Sequence, residues 1–255
     1  MKPRVESAVH EIVSVLKNWE SVDTVTLVET GSEDIYDPYF FVSLDVYCSS
    51  EIPDADIRRA AFPDVVAFET LRLNRKDRFL LDDIPFRLEY KDIERFNRII
   101  QGATGPEGAF RDSGTYMFYR LQHGRVLFQE SEWLEEMRKD LDSFTDEFWE
   151  MLREAFQARM EHYLGDLNAA VVREDDLFYL ISASGFVRSV CSVLFAINHR
   201  FEPSGRLLYE EAVSLPILPE SFAGRFESLI RPTAALSPSR RAEIAELLAK
   251  SIVVL

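Results

Sequence analysis

The sequence predicts an α+β fold, with a mixed β-sheet and flanking helices first and a helical bundle after it. In the first half, the runs at 22–29, 39–48 and 86–90 are rich in β-branched and aromatic residues, as strands are. In the second half, apolar residues recur at helical spacing over long stretches. This change of pattern predicts two domains, residues 1–135 and 136–255.

The first half is predicted to contain both helices and strands. Apolar residues recur at helical spacing in residues 4–19, which predicts an amphipathic helix. Shorter helices are predicted at 55–62 and 92–100. Besides the runs above, a short strand is predicted at 125–128. Residues 79–90 predict a β-hairpin that turns at Asp82 and Asp83.

The second half is predicted to be helical throughout. One apolar stripe runs from Leu141 to Tyr163, and Ser237-Pro238 is typical of a helix start. Residues 178–200 are apolar almost all round, which indicates the central helix of a bundle. Polar residues interrupt the longest apolar region, 177–197, so we expect a buried helix and no membrane span.

The composition limits the partners of the chain. Its 255 residues carry a net charge of −15, which repels polyanions and argues against broad binding to nucleic acid. A phosphate-bearing ligand would therefore need a local basic pocket or metal ions. Cys48 and Cys191 lie far apart in apolar runs, which predicts buried free thiols in a cytoplasmic protein.

Asp45 lies in the middle of the predicted strand 39–48, among aromatic and branched residues. A buried, unpaired carboxylate costs several kcal/mol or takes up a proton, so it normally has a partner or a metal ion. Residues i and i+2 of a strand point to the same face, so Ser43 and Asp45 share a face. Gly31 and Ser32 precede this strand in a polar turn.

Together, Gly31-Ser32, the acidic strand residue Asp45 and the later Glu89 resemble the nucleotidyltransferase superfamily, the DNA polymerase β-like fold. That family places Gly-Ser at a helix start, two aspartates one residue apart on a strand, and a third carboxylate on a later strand. The resemblance implies that Asp45 and Glu89 are catalytic and hold Mg²⁺. It implies that Gly31 and Ser32 cradle ATP or another nucleoside triphosphate, with Lys76 as a secondary phosphate contact.

Two further runs are similar to small-molecule nucleotidyltransferases that have a C-terminal helical domain, the DUF4037 group. The segment 197–208 resembles the end of a long apolar helix in that group. The segment 123–128 resembles the last strand of its catalytic domain. The resemblance therefore extends over most of the chain.

One departure from the family concerns Ser43, which stands where the family has its first aspartate. A hydroxyl is a poor ligand for Mg²⁺ beside a carboxylate, so metal binding should be weakened. One hypothesis is an enzyme that moves a nucleotidyl group to a small-molecule or protein hydroxyl. The alternative is a catalytically inactive protein of this fold that binds a nucleotide or another protein, and either form is compatible with a homodimer.

Structural interpretations of the same residues remain open from the sequence. Asp45 would accept hydrogen bonds as a structural acid, and Glu89 would pair with Arg87 or Lys91 in solvent. Gly31-Ser32 would form an ordinary turn. The basic run around Lys76 would be a solvated face, or it would receive a triphosphate. If the nucleotidyltransferase interpretation holds, the strands that carry Asp45 and Glu89 must be neighbours, with both carboxylates on one face.

Overall fold

A computed structural model describes residues 2–28, 40–71, 75–102, 114–231 and 235–255. Contacts between residues divide the chain into two compact units. The first unit comprises Met1–Gly105 with Tyr119–Ser143, and the second comprises Pro106–Phe118 with Phe144–Leu255. The fold class is α+β, as predicted, with the strands in the first unit and helices in the second.

The first unit is built on a mixed β-sheet. Within the described residues its strands are β1 (Val22–Val28), β2 (Val42–Cys48), β3 (Val66–Leu71), β4 (Lys76–Leu81), β5 (Ile84–Asp92) and β6 (Arg125–Gln129). They follow the order β3-β4-β5-β2-β1-β6. The central pair, β2 and β5, is parallel, whereas the other neighbours are antiparallel.

Helices flank this sheet. They are α1 (Pro3–Leu16), α2 (Ala55–Ala60), α3 (Ile93–Gln101), α4 (Tyr116–His123) and α5 (Trp133–Asp142). Proline in the first turn starts α1, where its missing N–H costs nothing. The predicted boundary at residue 135 lies inside α5, and the ring of Trp133 in this helix packs against Tyr47 and Phe96 of the first unit.

The sheet has one apolar face and one polar face, because the side chains of each strand alternate. Val42, Leu44 and Val46 of β2 point into a core that also contains the buried residues of α1. Ser43 and Asp45 point to the opposite face. Strand β5 alternates in the same way, with Arg87, Glu89 and Lys91 on the polar face.

The predicted hairpin is confirmed. Strands β4 and β5 are joined by Asp82 and Asp83, which have φ angles of 50° and 61°. Two consecutive positive φ angles are the backbone of a type I′ turn, and aspartate tolerates this conformation. The turn fixes the register that places Lys76 opposite Glu89.

The second unit is helical in its described part. Its helices are α6 (Asp146–Arg173), α7 (Asp176–Ile197), α8 (Leu208–Val213), α9 (Phe222–Ile230) and α10 (Pro238–Val253). A two-residue connection joins α6 to α7, which pack closely along their length. At their crossing, a Cβ on Gly185 would lie 2.4 Å from the ring of Tyr163, so a larger residue would force this ring to move. Ser237 caps α10 by accepting a hydrogen bond from the Arg240 N–H, which confirms the predicted start.

Helix α7 is long and apolar enough, by length and composition alone, to cross a membrane. Core helices of soluble proteins have the same property. Within the chain, 56% of the most apolar window of α7 is buried.

Candidate functional site

The candidate site lies on the polar face of the sheet, where the two parallel strands meet. Asp45 on β2 is register-paired with Glu89 on β5. The two strands are adjacent in the sheet, as predicted, and both carboxylates lie on one face. Asp45 is fully buried, whereas the side chain of Glu89 is 25% exposed.

Two cations hold the Asp45 carboxylate. Lys91 donates from Nζ to Oδ2 over 2.8 Å, and Arg120 donates from Nε to the same oxygen over 2.9 Å. A second guanidinium nitrogen of Arg120 donates to Oδ1. That nitrogen also lies 3.3 Å from Oε2 of Glu89, so Arg120 bridges the two acids. Bidentate pairs of this kind are among the strongest hydrogen-bonded ion pairs in proteins.

The local sequence explains how these cations reach Asp45. Lys91 is two residues beyond Glu89 on β5 and therefore emerges on the same face. Arg120 comes from α4, a helix that lies just before β6 in the chain. Gly124 ends this helix beside β1, where a Cβ would lie 2.9 Å from Oγ1 of Thr26. This close approach brings α4 onto the polar face.

Electrostatics in the site favour ionised Asp45. Burial acts to raise its pKa, but the charges and hydrogen bonds of Lys91 and Arg120 outweigh burial, so the pKa of Asp45 lies below its usual value. Burial lowers the pKa of Lys91, although Asp45 opposes that shift. The Tyr47 hydroxyl is 3.5 Å from Oδ2 of Asp45, and burial together with this charge raises the pKa of Tyr47.

The described residues do not fit a divalent metal. Both oxygens of Asp45 accept hydrogen bonds from cations, and Ser43 supplies a hydroxyl where the family has a carboxylate. Within the described ranges, no group of three histidine, cysteine, aspartate or glutamate side chains lies close enough together to hold a metal ion. The metal role of Asp45 and Glu89 therefore remains a prediction.

The remaining predicted site residues are placed as follows. Lys76 lies opposite Glu89, with its Nζ 4.0 Å from Oε2. Gly31 and Ser32 lie outside the described residues. Ser43 is 8% exposed and is register-paired with Arg87.

Comparisons with known proteins give one family match and a structural likeness. Residues 114–206 match the family described as a domain of unknown function, DUF4037. The chain is also similar to the crystal structure of a nucleotidyltransferase-like protein from Exiguobacterium sibiricum, at 11% identity and a TM-score of 0.53. That match covers 98% of this chain and 74% of the other. The chain has a nucleotidyltransferase-like fold.

The family match does not extend to the whole chain. It begins at Gly114, so the nucleotidyltransferase-like fold of the preceding residues is shown by the structural likeness. No curated protein matches the sequence. At this identity the likeness shows the fold, and the activity has to be argued from the site.

Sequence reasoning did not find the two cations that define the site. The sequence could have indicated Lys91, since its spacing of two residues from Glu89 puts both side chains on one face of β5. Arg120 carries none, because α4 was not predicted and its contact with Asp45 joins residues 75 positions apart. Glu89 does pair with basic residues, but the ion pairs that the structure shows are with Arg120 and Lys76, whereas the structural interpretation had named Arg87 or Lys91.

Proposed function

We propose that this nucleotidyltransferase-like fold is catalytically inactive as a metal-dependent transferase and acts as a module that binds a nucleotide or another protein. One observation supports the proposal most strongly: Lys91 and Arg120 together occupy both oxygens of Asp45. The site therefore has cationic side chains where the family uses metal ions to offset its carboxylates.

The energetics of the pair argue against its replacement by a metal. Separating a buried ion pair that is well hydrogen-bonded costs about 3–5 kcal/mol, because one charge is left without compensation. Mg²⁺ also dehydrates reluctantly and prefers carboxylate oxygens. With Ser43 as neighbour, it would gain one carboxylate from β2 and would have to displace Arg120 first.

A transferase that acts on a small-molecule or protein hydroxyl is the second candidate. It is favoured by the direct pairing of Asp45 with Glu89 on one face, which is the arrangement that metal-dependent transfer requires. In this case Mg²⁺ and a nucleoside triphosphate would have to move Arg120 away from both acids.

Incubation with ATP labelled at its α-phosphate, with Mg²⁺ or Mn²⁺, tests the proposal. A mixture of hydroxylated small molecules and the chain itself would serve as acceptors. We expect no transfer of label, and we expect any rise in melting temperature caused by ATP to be no larger with metal than with EDTA. Label transfer that Asp45→Asn abolishes, in a variant that remains folded, would establish the transferase instead.

A further inference from the structure

The helical unit exposes three large apolar side chains close together on α7. Leu177, Leu180 and Ile181 are 68%, 66% and 56% exposed. They lie in the first half of the helix, whereas residues 189–196 in its second half are all buried. A single exposed leucine is ordinary, but neighbouring exposed apolar side chains indicate a surface that binds a partner.

The exposed side chains follow one side of the helix. Leu177, Leu180 and Ile181 are three and four positions apart, and the exposed residues Ser184 and Arg188 continue the same spacing. We call these five residues the α7 stripe. In the described part of the chain, the α7 stripe is therefore a helix face that remains open to solvent.

Opposite charges lie at the two ends of the α7 stripe. Asp176, in the first turn of α7, is exposed beside Leu177, and Glu174 and Asp175 immediately precede it. Arg188 ends the stripe with a positive charge. Among the described residues, neither Asp176 nor Arg188 forms an ion pair, although Arg188 acts on the buried Glu202 at longer range.

Two copies of the α7 stripe are complementary when the helices run antiparallel. With a two-fold axis between Leu180 and Ile181, each Leu180 faces Ile181 of the other copy. Each Leu177 then faces Ser184 of the other copy, which places a large side chain against a small one. This arrangement covers the apolar part of the stripe in both copies at once.

The same arrangement brings the charged ends together. At 1.5 Å per residue, Asp176 lies about 7 Å and Arg188 about 11 Å from the two-fold axis along the helix. Side chains on a helix lean towards its N-terminus, so Arg188 leans back towards Asp176 of the other copy. Each dimer would contain two such pairs, because an isologous contact occurs twice.

We propose that the α7 stripe binds a second copy of this chain, in a dimer whose two α7 helices run antiparallel. The inference goes beyond the proposed function and does not depend on it, since neither Asp45 nor Glu89 takes part. A membrane surface fits the stripe less well, because three consecutive acidic residues stand at its end and anionic lipid repels them.

Sedimentation velocity of the full chain, from about 1 to 300 µM, tests for this dimer. A standard interface involves roughly 20–30 residues on each side, which is more than the stripe provides, so we expect a weak and reversible dimer. Its Kd should be about 10–100 µM.

Leu180→Glu is the informative variant, because it places two carboxylates beside the two-fold axis. We expect its Kd to rise at least about tenfold, while the exposed position leaves the melting temperature nearly unchanged. Ile57→Glu is the matched control, since it adds the same charge at a 60% exposed apolar residue of α2. This control should dimerise as the wild type does.

A charge exchange tests the antiparallel arrangement. Asp176→Arg brings the net charge of −15 closer to zero, so general repulsion between copies decreases. It nevertheless places two arginines together at each end, and we expect its Kd to rise about threefold to tenfold. The double variant Asp176→Arg with Arg188→Asp restores opposite charges and should return to within about twofold of the wild type.

The other outcomes would overturn the inference or part of it. A chain that remains monomeric up to the highest concentration would overturn it. If that monomer sedimented with phosphatidylcholine vesicles, and Leu180→Glu did not, the stripe would be a lipid-binding surface. A dimer with equal Kd in the wild type and Leu180→Glu would overturn the location, and failure of the double variant to recover would overturn the antiparallel arrangement.

Discussion

Replacing Arg120 with methionine should destabilise the chain strongly, because it leaves a buried carboxylate with half of its cationic partners. In the structure Arg120 makes two hydrogen bonds to the fully buried Asp45 and one ion pair to Glu89. Breaking one side of a buried ion pair costs about 3–5 kcal/mol. A chain of this size loses roughly 2–4 °C in melting temperature for each kcal/mol, so we expect a decrease of roughly 6–20 °C.

The loss should depend on pH with a defined sign. In the wild type the pKa of Asp45 is lowered, so its stabilising contribution is present above the unfolded pKa and disappears as pH falls through the folded pKa. Without Arg120, burial is opposed by Lys91 alone, and the folded pKa of Asp45 should rise. Protonation then relieves the buried charge, so the difference in stability between wild type and variant should be largest at pH 7 and should shrink towards pH 4.

Thermal unfolding followed by circular dichroism at pH 7 and at pH 4 measures this difference. Arg125→Met is the matched control, since it removes an exposed arginine from the edge strand β6 and should be nearly neutral. The double variant with Asp45→Asn should lose less than the sum of the two single losses. A loss below about 1 kcal/mol for Arg120→Met, or a loss that does not change with pH, would refute the argument.

Three further predictions concern other parts of the chain. Gly185→Ala should lower the free energy of unfolding in urea by about 1–3 kcal/mol, because the new Cβ meets a tyrosine ring. Gly165→Ala is the control and should be stabilising, since nothing lies within 4 Å of its Cβ. Equal effects of the two substitutions would contradict the helix crossing. Burial raises the pKa of Cys48 and Cys191 to about 12. Iodoacetamide at pH 8, followed by mass spectrometry, should therefore label these thiols only after unfolding. Rapid labelling of the native chain would contradict their burial. Burial raises the pKa of Glu202, so its negative charge opposes folding at high pH. Glu202→Gln should therefore raise the melting temperature more at pH 8 than at pH 4. A larger rise at pH 4 would contradict the raised pKa.

The elements that the sequence predicted well are those whose pattern is local. The alternation of side chains in β2 and β5 indicates a strand and the face on which each residue lies. The pair Asp82-Asp83 indicates the turn between β4 and β5. Neither signal depends on the rest of the chain. From these, the pairing of Asp45 with Glu89 followed once the strands were assumed to be adjacent. The α6 and α7 helices were predicted for the same reason, since long apolar patterns identify them.

Strand β3 and helix α4 were missed because their sequences do not have a clear period. Strand β3 is at the sheet edge, where its register shifts near Ala67, a non-glycine residue with a φ of 54°. A bulge of this kind breaks the alternation on which a strand prediction depends. Helix α4 has only eight residues, too few for a decisive helical pattern, and the missing prediction of α4 concealed Arg120.

Ser43 and Arg120 are best understood as parts of one electrostatic change. A carboxylate at 43 together with Asp45 would place two negative charges on one strand face, which metal ions would have to balance. With serine at 43, a single arginine and Lys91 balance Asp45 without a metal. Placing aspartate at 43 alone should therefore not create a metal site, because the new carboxylate would lie opposite Arg87 and Asp45 would keep its cations. The sequence shows the serine at 43, but only the structure shows that Arg120 balances the charge of Asp45.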